Sequence, residues 1–236
     1  MEKKELLYEG KAKKVFKTED PNVLIVSYKD DATALDGLKK GTIVGKGAIN
    51  NRMTNHIFKL LEKKGGPTHL VQELSDRETA VKKVEIVPLE VIIRNYSAGS
   101  FAKKMGMEEG VKFACPTLEF SYKNDELHDP FINSYYALAL NLATQEEIDT
   151  ITRYAFIVNE VMTEYFGSLG IDLIDFKIEF GRLADGTIIL ADEVSPDTCR
   201  LWDKETHEKL DKDRFRRDMG NVEDAYQEVF RRLGIQ

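Results

Sequence analysis

The stretch DLIDFKIEFGRLADGTIILADEVSPDTCRLWD, residues 172–203, decides how the rest of the chain is read. Two strand-like runs flank Asp185-Gly186, a dipeptide that favours a tight turn with positive φ. In the first run Phe176, Ile178 and Phe180 alternate with Asp175, Lys177 and Glu179, the pattern of a strand with one apolar and one polar face. In the second run Leu190, Asp192 and Val194 share a face. A hairpin centred on Asp185-Gly186 sets Ala184 opposite Thr187 and, further out, Glu179 opposite Asp192. Opposed residues share a face with Cβ atoms about 5 Å apart, and like charges there repel unless something neutralises them. Such a carboxylate pair suits Mg2+, which prefers hard oxygen ligands and completes its shell with water and phosphate. It equally suits a solvated sheet face with one raised carboxyl pKa, and a one-residue slip in register would separate the two acids.

The 236 residues suffice for one large domain or two small ones sharing a cleft. With 42% apolar and 32% charged residues, the make-up is that of a globular protein with a sizeable core. A net charge of -7 argues against general nucleic-acid binding, which calls for a basic surface. No apolar run approaches the ~20 residues of a membrane helix, and MEKKELLYEG lacks the apolar stretch of a signal peptide. Cys115 and Cys199 are too few for a disulfide framework or a structural zinc site, so a cytoplasmic chain with reduced thiols is expected. The histidines are scattered, which leaves oxygen as the expected ligand of any metal.

Upstream, residues 6–28 read as a β-meander whose turn near Gly10 carries Lys11, Lys13 and Lys14. A glycine-containing turn with lysines can cover a polyphosphate or be a plain exposed hairpin; it is no Walker loop, because GxxxxGK[ST] is missing. Asp30-Asp31-Ala32-Thr33 opens an expected polar loop running through Asp36-Gly37 and Gly41. A helix follows over 45–64 with Ile49, Met53, Ile57, Leu60 and Leu61 as its apolar stripe, stopped by Gly65-Gly66-Pro67. Strands are expected at 69–74 and 79–87, the second carrying Lys82 and Lys83, and Pro88 predicts a break and a domain hinge. Residues 89–94 form a buried strand that delivers Arg94, and the loop 95–100 leads into a short helix ending at Met105. Small residues there leave backbone N–H groups open to an anion, and Ser100 adds a hydroxyl. A strand over 115–123 ends at the turn Asn124-Asp125, and His128-Asp129-Pro130 is loop. Thr144-x-x-Glu147 is a capping box for a long helix with Ile148, Ile151, Ala155, Val158, Met162 and Tyr165 on one face. A last helix spans 222–233, with Asn221 as its cap and Gly234 as its stop.

The segments YEGKAK (8–13), LEVIIRNYSAGS (89–100), DFKIEFG (175–181) and LADEVSPDTCRLWD (190–203) occur in this order. Together they make the chain resemble the phosphoribosylaminoimidazole-succinocarboxamide synthase (SAICAR synthetase) family from residue 8 to the C-terminal helix. The resemblance implies an α+β fold of two-lobed ATP-grasp-like architecture, with mostly antiparallel sheets and flanking helices. Residues 1–87 would form a smaller β-rich lobe, and residues 88–236 a larger α/β lobe. It implies a ligase of purine biosynthesis that joins L-aspartate to the carboxylate of carboxyaminoimidazole ribonucleotide (CAIR) through an acyl phosphate. The products would be SAICAR, ADP and phosphate; Mg2+ is the cofactor and a homodimer or other homo-oligomer the expected state.

By the family pattern Gly10, Lys11, Ala12 and Lys13 hold the ATP phosphates, with Lys82 or Lys83, the backbone up to Val87, and Lys123 also on the nucleotide. Glu179 and Asp192 carry the metal. Arg94, Ser100 and Arg200 grip the ribonucleotide phosphate, Asp175 and Lys177 face its imidazole and carboxylate, and Asp129 belongs to the aspartate site. Two other readings stand beside this one. A small-molecule kinase would use Asp175-Phe176-Lys177, a loose likeness of the kinase DFG triplet, but no HRDxxxxN segment accompanies it. A non-catalytic module would bind Mg·ATP and turn nothing over.

Overall fold

Alternating apolar residues near the N-terminus pair as strands β1 (Leu6–Glu9), β2 (Lys13–Lys17) and β3 (Val23–Tyr28). The computed structural model describes residues 1–34 and 37–235. Asp36, assigned above to a polar loop, lies outside the described residues. Its flanks are not irregular: β4 (Asp31–Ala34) and β5 (Lys39–Thr42) form a hairpin, and their side chains pack under the C-terminal segment, where Lys39 Nζ donates to the Phe215 carbonyl. Helix α1 (Lys46–Lys63) follows, its first N–H groups satisfied by the Asp30 carboxylate, and β6 (Leu70–Ser75) and β7 (Glu78–Lys82) complete a five-stranded sheet in the order β1-β2-β3-β7-β6.

A second sheet holds β8 (Glu85–Tyr96), β9 (Lys112–Tyr122), β10 (Phe131–Ile132), β11 (Ile171–Arg182), β12 (Ile188–Ala191) and β13 (Cys199–Asp203). Its order is β10-β9-β8-β11-β12, with β13 pairing the first half of β11. Among the described residues the ladders are antiparallel, and an isolated parallel bridge ties Thr68, just before β6, to Leu190 of β12. The helices are α2 (Gly99–Met105), α3 (Ser134–Ala139), α4 (Gln145–Ser168), α5 (Asp213–Arg216) and α6 (Val222–Leu233).

The expected break at Pro88 is not there: Pro88 lies inside β8. It sits at a bulge, between the pairs Glu179–Glu90 and Gly181–Ile86, where a residue without an N–H leaves no gap in the β11 ladder. The chain passes from one sheet to the other earlier, at Lys83 and Val84. A Cβ on Gly181 would lie 2.4 Å from the Val84 side chain, so the crossing runs over β11 at a glycine.

The hairpin of β11 and β12 also differs from the expectation. Leu183 N–H donates to the Thr187 carbonyl at 2.9 Å, so the loop is Ala184-Asp185-Gly186, with Gly186 at φ 85°. Three-residue loops of this kind end in a left-handed residue, and the added residue moves the register by one. Glu179 therefore opposes Ala191, not Asp192.

Phe176, Ile178 and Phe180 face a core shared with Val91 and Ile93 of β8, Met53, Ile57 and Leu61 of α1, and Ile151, Ala155, Val158 and Met162 of α4. The capping box is present: Glu147 N–H donates to the Thr144 hydroxyl at 3.2 Å, and Thr144 N–H donates to the Glu147 carboxylate at 2.8 Å. Asn221 precedes α6 as expected, but in the left-handed region and without a side-chain cap. Among the described residues, no helix is long and apolar enough to cross a membrane. Burial of one face of the second sheet leaves Glu90, Arg94, Asp175, Lys177 and Glu179 on its other face, where Glu90, Lys177 and Glu179 line the cleft between the sheets.

Candidate active site

A cavity of about 500 Å3 opens between the two sheets. Val15, Leu24, Val26 and Val81 of the first sheet, Val84 of the crossing and Ile86 of β8 give it an apolar slot. Lys13, Lys82, Lys123 and Lys177, with Glu90, Glu179, Asp192 and Glu193, give it a charged end.

The charged end is built by register. Glu179 on β11 directly opposes Glu90 on β8, so the cross-strand acid pair exists with a partner that sequence reasoning missed. Glu90 stands two and four residues before Ile92 and Arg94, on the face that Arg94 shares, and that alternation is the signal by which it could have been found. Lys177 Nζ ion-pairs with Glu90, and Lys123 Nζ donates to Glu179 at 2.6 Å.

Asp192 joins them by another route. Continued alternation after Leu190 would turn it toward the core, but Asp192 adopts φ 58° just past β12 and lines the cavity. Asp and Asn tolerate this left-handed region better than most residues. Lys13 Nζ bridges Asp192 at 2.5 Å and Glu193 at 2.8 Å, and stands 5.2 Å over the Tyr28 ring. Burial and the charge of Asp192 push the Glu179 carboxyl up, with Lys123 opposing. Burial pushes Asp192 up too, but Lys13, Lys123 and Lys177 together outweigh it and hold that carboxyl below its usual range.

These groups fit a hard divalent cation. Their free donors are carboxylate oxygens, and a cation would relieve the Glu179–Asp192 repulsion. Among the described residues, no three His, Cys, Asp or Glu side chains converge on one point, so any such ion takes the rest of its shell from water or phosphate. His69, also missed, lines the cavity next to Asp192; burial pushes its pKa down to about 4, which keeps the ring neutral.

The other predicted residues divide. Gly10, Lys11 and Ala12 line the cavity, and Lys11 Nζ meets Asp125 at 3.1 Å across the mouth. Lys82 lines it too, donating to the Thr68 carbonyl at 3.1 Å, whereas Lys83 points into a separate depression beside Thr18 and Leu24. Lys82 is the last residue of β7 and Lys83 the first of the crossing, so the chain turns away between them and only Lys82 lines the cleft. The Val87 side chain is wholly buried in the core, while Val84 and Ile86 of the same segment line the slot. Asp129 sits at the cavity mouth at φ 46°, its carboxylate accepting from Asn124 N–H at 2.8 Å.

Further along the same face Asp175 joins two arginines. Arg94 Nη1 donates to it at 2.7 Å, and Arg200 Nη1 at 2.9 and 3.1 Å. Arg94 commits its remaining nitrogens to Glu119, both at 3.1 Å, and is 3% exposed. Arg200 donates from Nε to Asp213 at 2.9 Å, and its Nη2 lies against Gly99, where a Cβ would sit 2.4 Å away. Arg200 is thus the arginine with a free edge, and Arg94 supports Asp175. Ser100 lines a neighbouring cavity of about 430 Å3 with Phe101, Lys104 and Glu119, outside the lysine-rich cavity.

The chain matches the family model described as SAICAR synthetase over residues 6–233. It is 75% identical to phosphoribosylaminoimidazole-succinocarboxamide synthase of Lachnoclostridium phytofermentans, with 100% of both chains covered. It is 64% identical to the enzyme of the same name from Thermoanaerobacter sp., over 99% of each chain. The crystal structure of the synthase from Ehrlichia chaffeensis superposes with a TM-score of 0.96 at 43% identity, over 98% of this chain and 99% of that one. A SAICAR synthetase in complex with ADP superposes with a TM-score of 0.93 at 47% identity, over 96% of each.

Proposed function

The chain belongs to the SAICAR synthetase family, and from that membership we propose how its cleft divides the work of an amide ligation. It is an ATP-dependent ligase that joins L-aspartate to the carboxylate of CAIR, giving SAICAR, ADP and phosphate. The observation that supports this reading best is the acid-and-lysine cavity beside an apolar slot, continued on one sheet face by Asp175 and Arg200.

In this reading the slot of Val15, Val26, Val81 and Ile86 takes the adenine, and Lys13, Lys82 and Lys123 take the phosphates. Lys11 meets the phosphates from the mouth. Arg200, aimed by Asp175, grips the ribonucleotide phosphate with Ser100 beside it. Lys177 then holds the carboxylate of the same substrate against the nucleotide. Glu179 and Asp192 would hold Mg2+, whose charge would screen the repulsion between carboxylate and triphosphate. A carboxylate is a poor acylating agent because oxide is a poor leaving group. Transfer of the γ-phosphoryl group to it breaks the bond to the β-phosphate, releases ADP and leaves an acyl phosphate. The neutral amine of aspartate attacks the acyl carbon, phosphate departs and the amine loses a proton to a nearby base or solvent. The lysines lower the barrier by meeting charge that is already placed in a water-poor cleft. The two sheets act as lobes that close on the substrates, and the enzyme works in the cytoplasm as a homodimer or other homo-oligomer. Asp129 stays the candidate for the aspartate side, at the cavity mouth.

A coupled assay that omits each substrate in turn tests the reading: ADP release must require both aspartate and CAIR. A phosphorylated product made at full rate without aspartate would favour the kinase reading.

A further inference from the structure

Two parts of the ribonucleotide grip are tied to one segment that no motif marked, the Asp211–Arg217 stretch around α5. Asp213 is buried, its side chain 1% exposed, and it accepts from Arg200 Nε at 2.9 Å and from Arg216 Nη1 at 2.7 Å, with Arg217 Nη2 3.4 Å away. Its backbone N–H donates to Asp211 at 2.7 Å, and the other Asp211 oxygen accepts from Leu201 N–H at 2.8 Å. The segment is thereby anchored to β13 at the residue after Arg200. A second strut runs through Arg217, which donates to Glu109 from both Nη atoms; Lys209 adds a contact at 3.0 Å, and Glu109 accepts from Gly99 N–H at 2.8 Å.

A guanidinium binds a phosphate well only when its plane is set. Asp175 holds Nη1 of Arg200 and Asp213 holds Nε, and two carboxylates on different elements define that plane. We propose that Asp213 is a positioning residue that aims the free Nη2 edge of Arg200 at the substrate phosphate, with Glu109–Arg217 holding the Gly99-Ser100 turn against it. The inference rests on the reading of Arg200 as a phosphate ligand.

Charge and aim predict opposite signs here. Asp213→Asn removes a negative charge beside Arg200, Arg216 and Arg217, so electrostatics alone would tighten binding of an anionic substrate. Loss of aim weakens it. The test is steady-state kinetics of Asp213→Asn, Arg200→Ala and the double variant, each substrate varied in turn. Asp213→Asn is expected to raise the CAIR KM about tenfold and leave the ATP KM within about twofold, and it should add nothing on top of Arg200→Ala. A CAIR KM that falls or stays put, an equal rise in the ATP KM, or additive effects in the double variant would overturn the inference. Should Asp213→Asn fail to fold, the more exposed Glu109→Gln must raise the same KM by a smaller factor; no rise there overturns the inference as well. If Arg200→Ala raises the CAIR KM and Asp213→Asn does not, the inference alone falls. If neither raises it, the assignment of Arg200 falls with it.

Discussion

Gly99 offers the sharpest probe of the ribonucleotide end. It adopts φ 53°, and a Cβ there would lie 2.4 Å from Nη2 and 2.8 Å from Cζ of Arg200. Gly99→Ala therefore acts twice. The left-handed backbone costs an alanine about 1 kcal/mol relative to glycine, which in a chain of this size lowers Tm by about 2–4 °C. Ordinary van der Waals contact needs the guanidinium to retreat by about 1 Å, and a misplacement of that size can lower catalysis by up to about a hundredfold. A shift of that size away from Asp213 or Asp175 would take the Arg200 contacts to them, now 2.9 Å each, beyond hydrogen-bonding range. A melt followed by circular dichroism gives the first effect, and the CAIR and ATP KM values give the second. The expected result is a Tm drop of a few degrees, a CAIR KM raised at least about tenfold and an ATP KM nearly unchanged. A normal CAIR KM in a folded Gly99→Ala protein would refute the claim that Arg200 meets this substrate from beside Gly99.

Three more outcomes are expected. Asp192→Asn should lower turnover with Mg·ATP by about tenfold or more while Tm stays near the native value; normal turnover and normal Mg2+ dependence would remove Asp192 from the metal site. Asp30, held down to about 2 by Arg77 against the opposing effect of burial and with help from the Gly47 and Gly45 N–H groups, clamps the start of α1. Because its folded pKa lies below the usual 3.8, its stabilisation is complete above that value and is lost as pH falls toward 2. With 24% of the side chain exposed, solvent screening leaves a contribution of about 1–2 kcal/mol. Denaturant midpoints of the native protein and Asp30→Asn should differ at pH 6 and converge below pH 4; a gap that persists at low pH contradicts the clamp. Gly181→Ala should destabilise by about 1–3 kcal/mol through overpacking against Val84, and an unchanged midpoint would mean that the crossing has room to move.

Period-two alternation in residues 175–180 is a local property, and it was enough to say which side chains of β11 enter the core and which enter the cleft. Caps and stops are local as well, and Thr144, Glu147, Gly65 and Gly234 act where the chain order placed them. The resemblance of several ordered segments carried the family, because whole-chain similarity does not depend on any one contact. Register was not legible. One extra loop residue at Gly186 moved Ala191 opposite Glu179 and left Glu90 as the true cross-strand acid. Asp192 reached the cleft only through a left-handed turn that alternation does not foresee.

Which of Lys82 and Lys83 enters the cavity followed from where β7 ends. The ties of Arg200 to Asp213 and of Gly99 to Glu109 and Arg217 join residues that only tertiary packing makes neighbours. The residue types and the faces they occupy came from the sequence by itself, since short-range sterics and solvent set them. The partners came from the tertiary structure, because a charge can be satisfied by any opposite charge that the fold brings within reach.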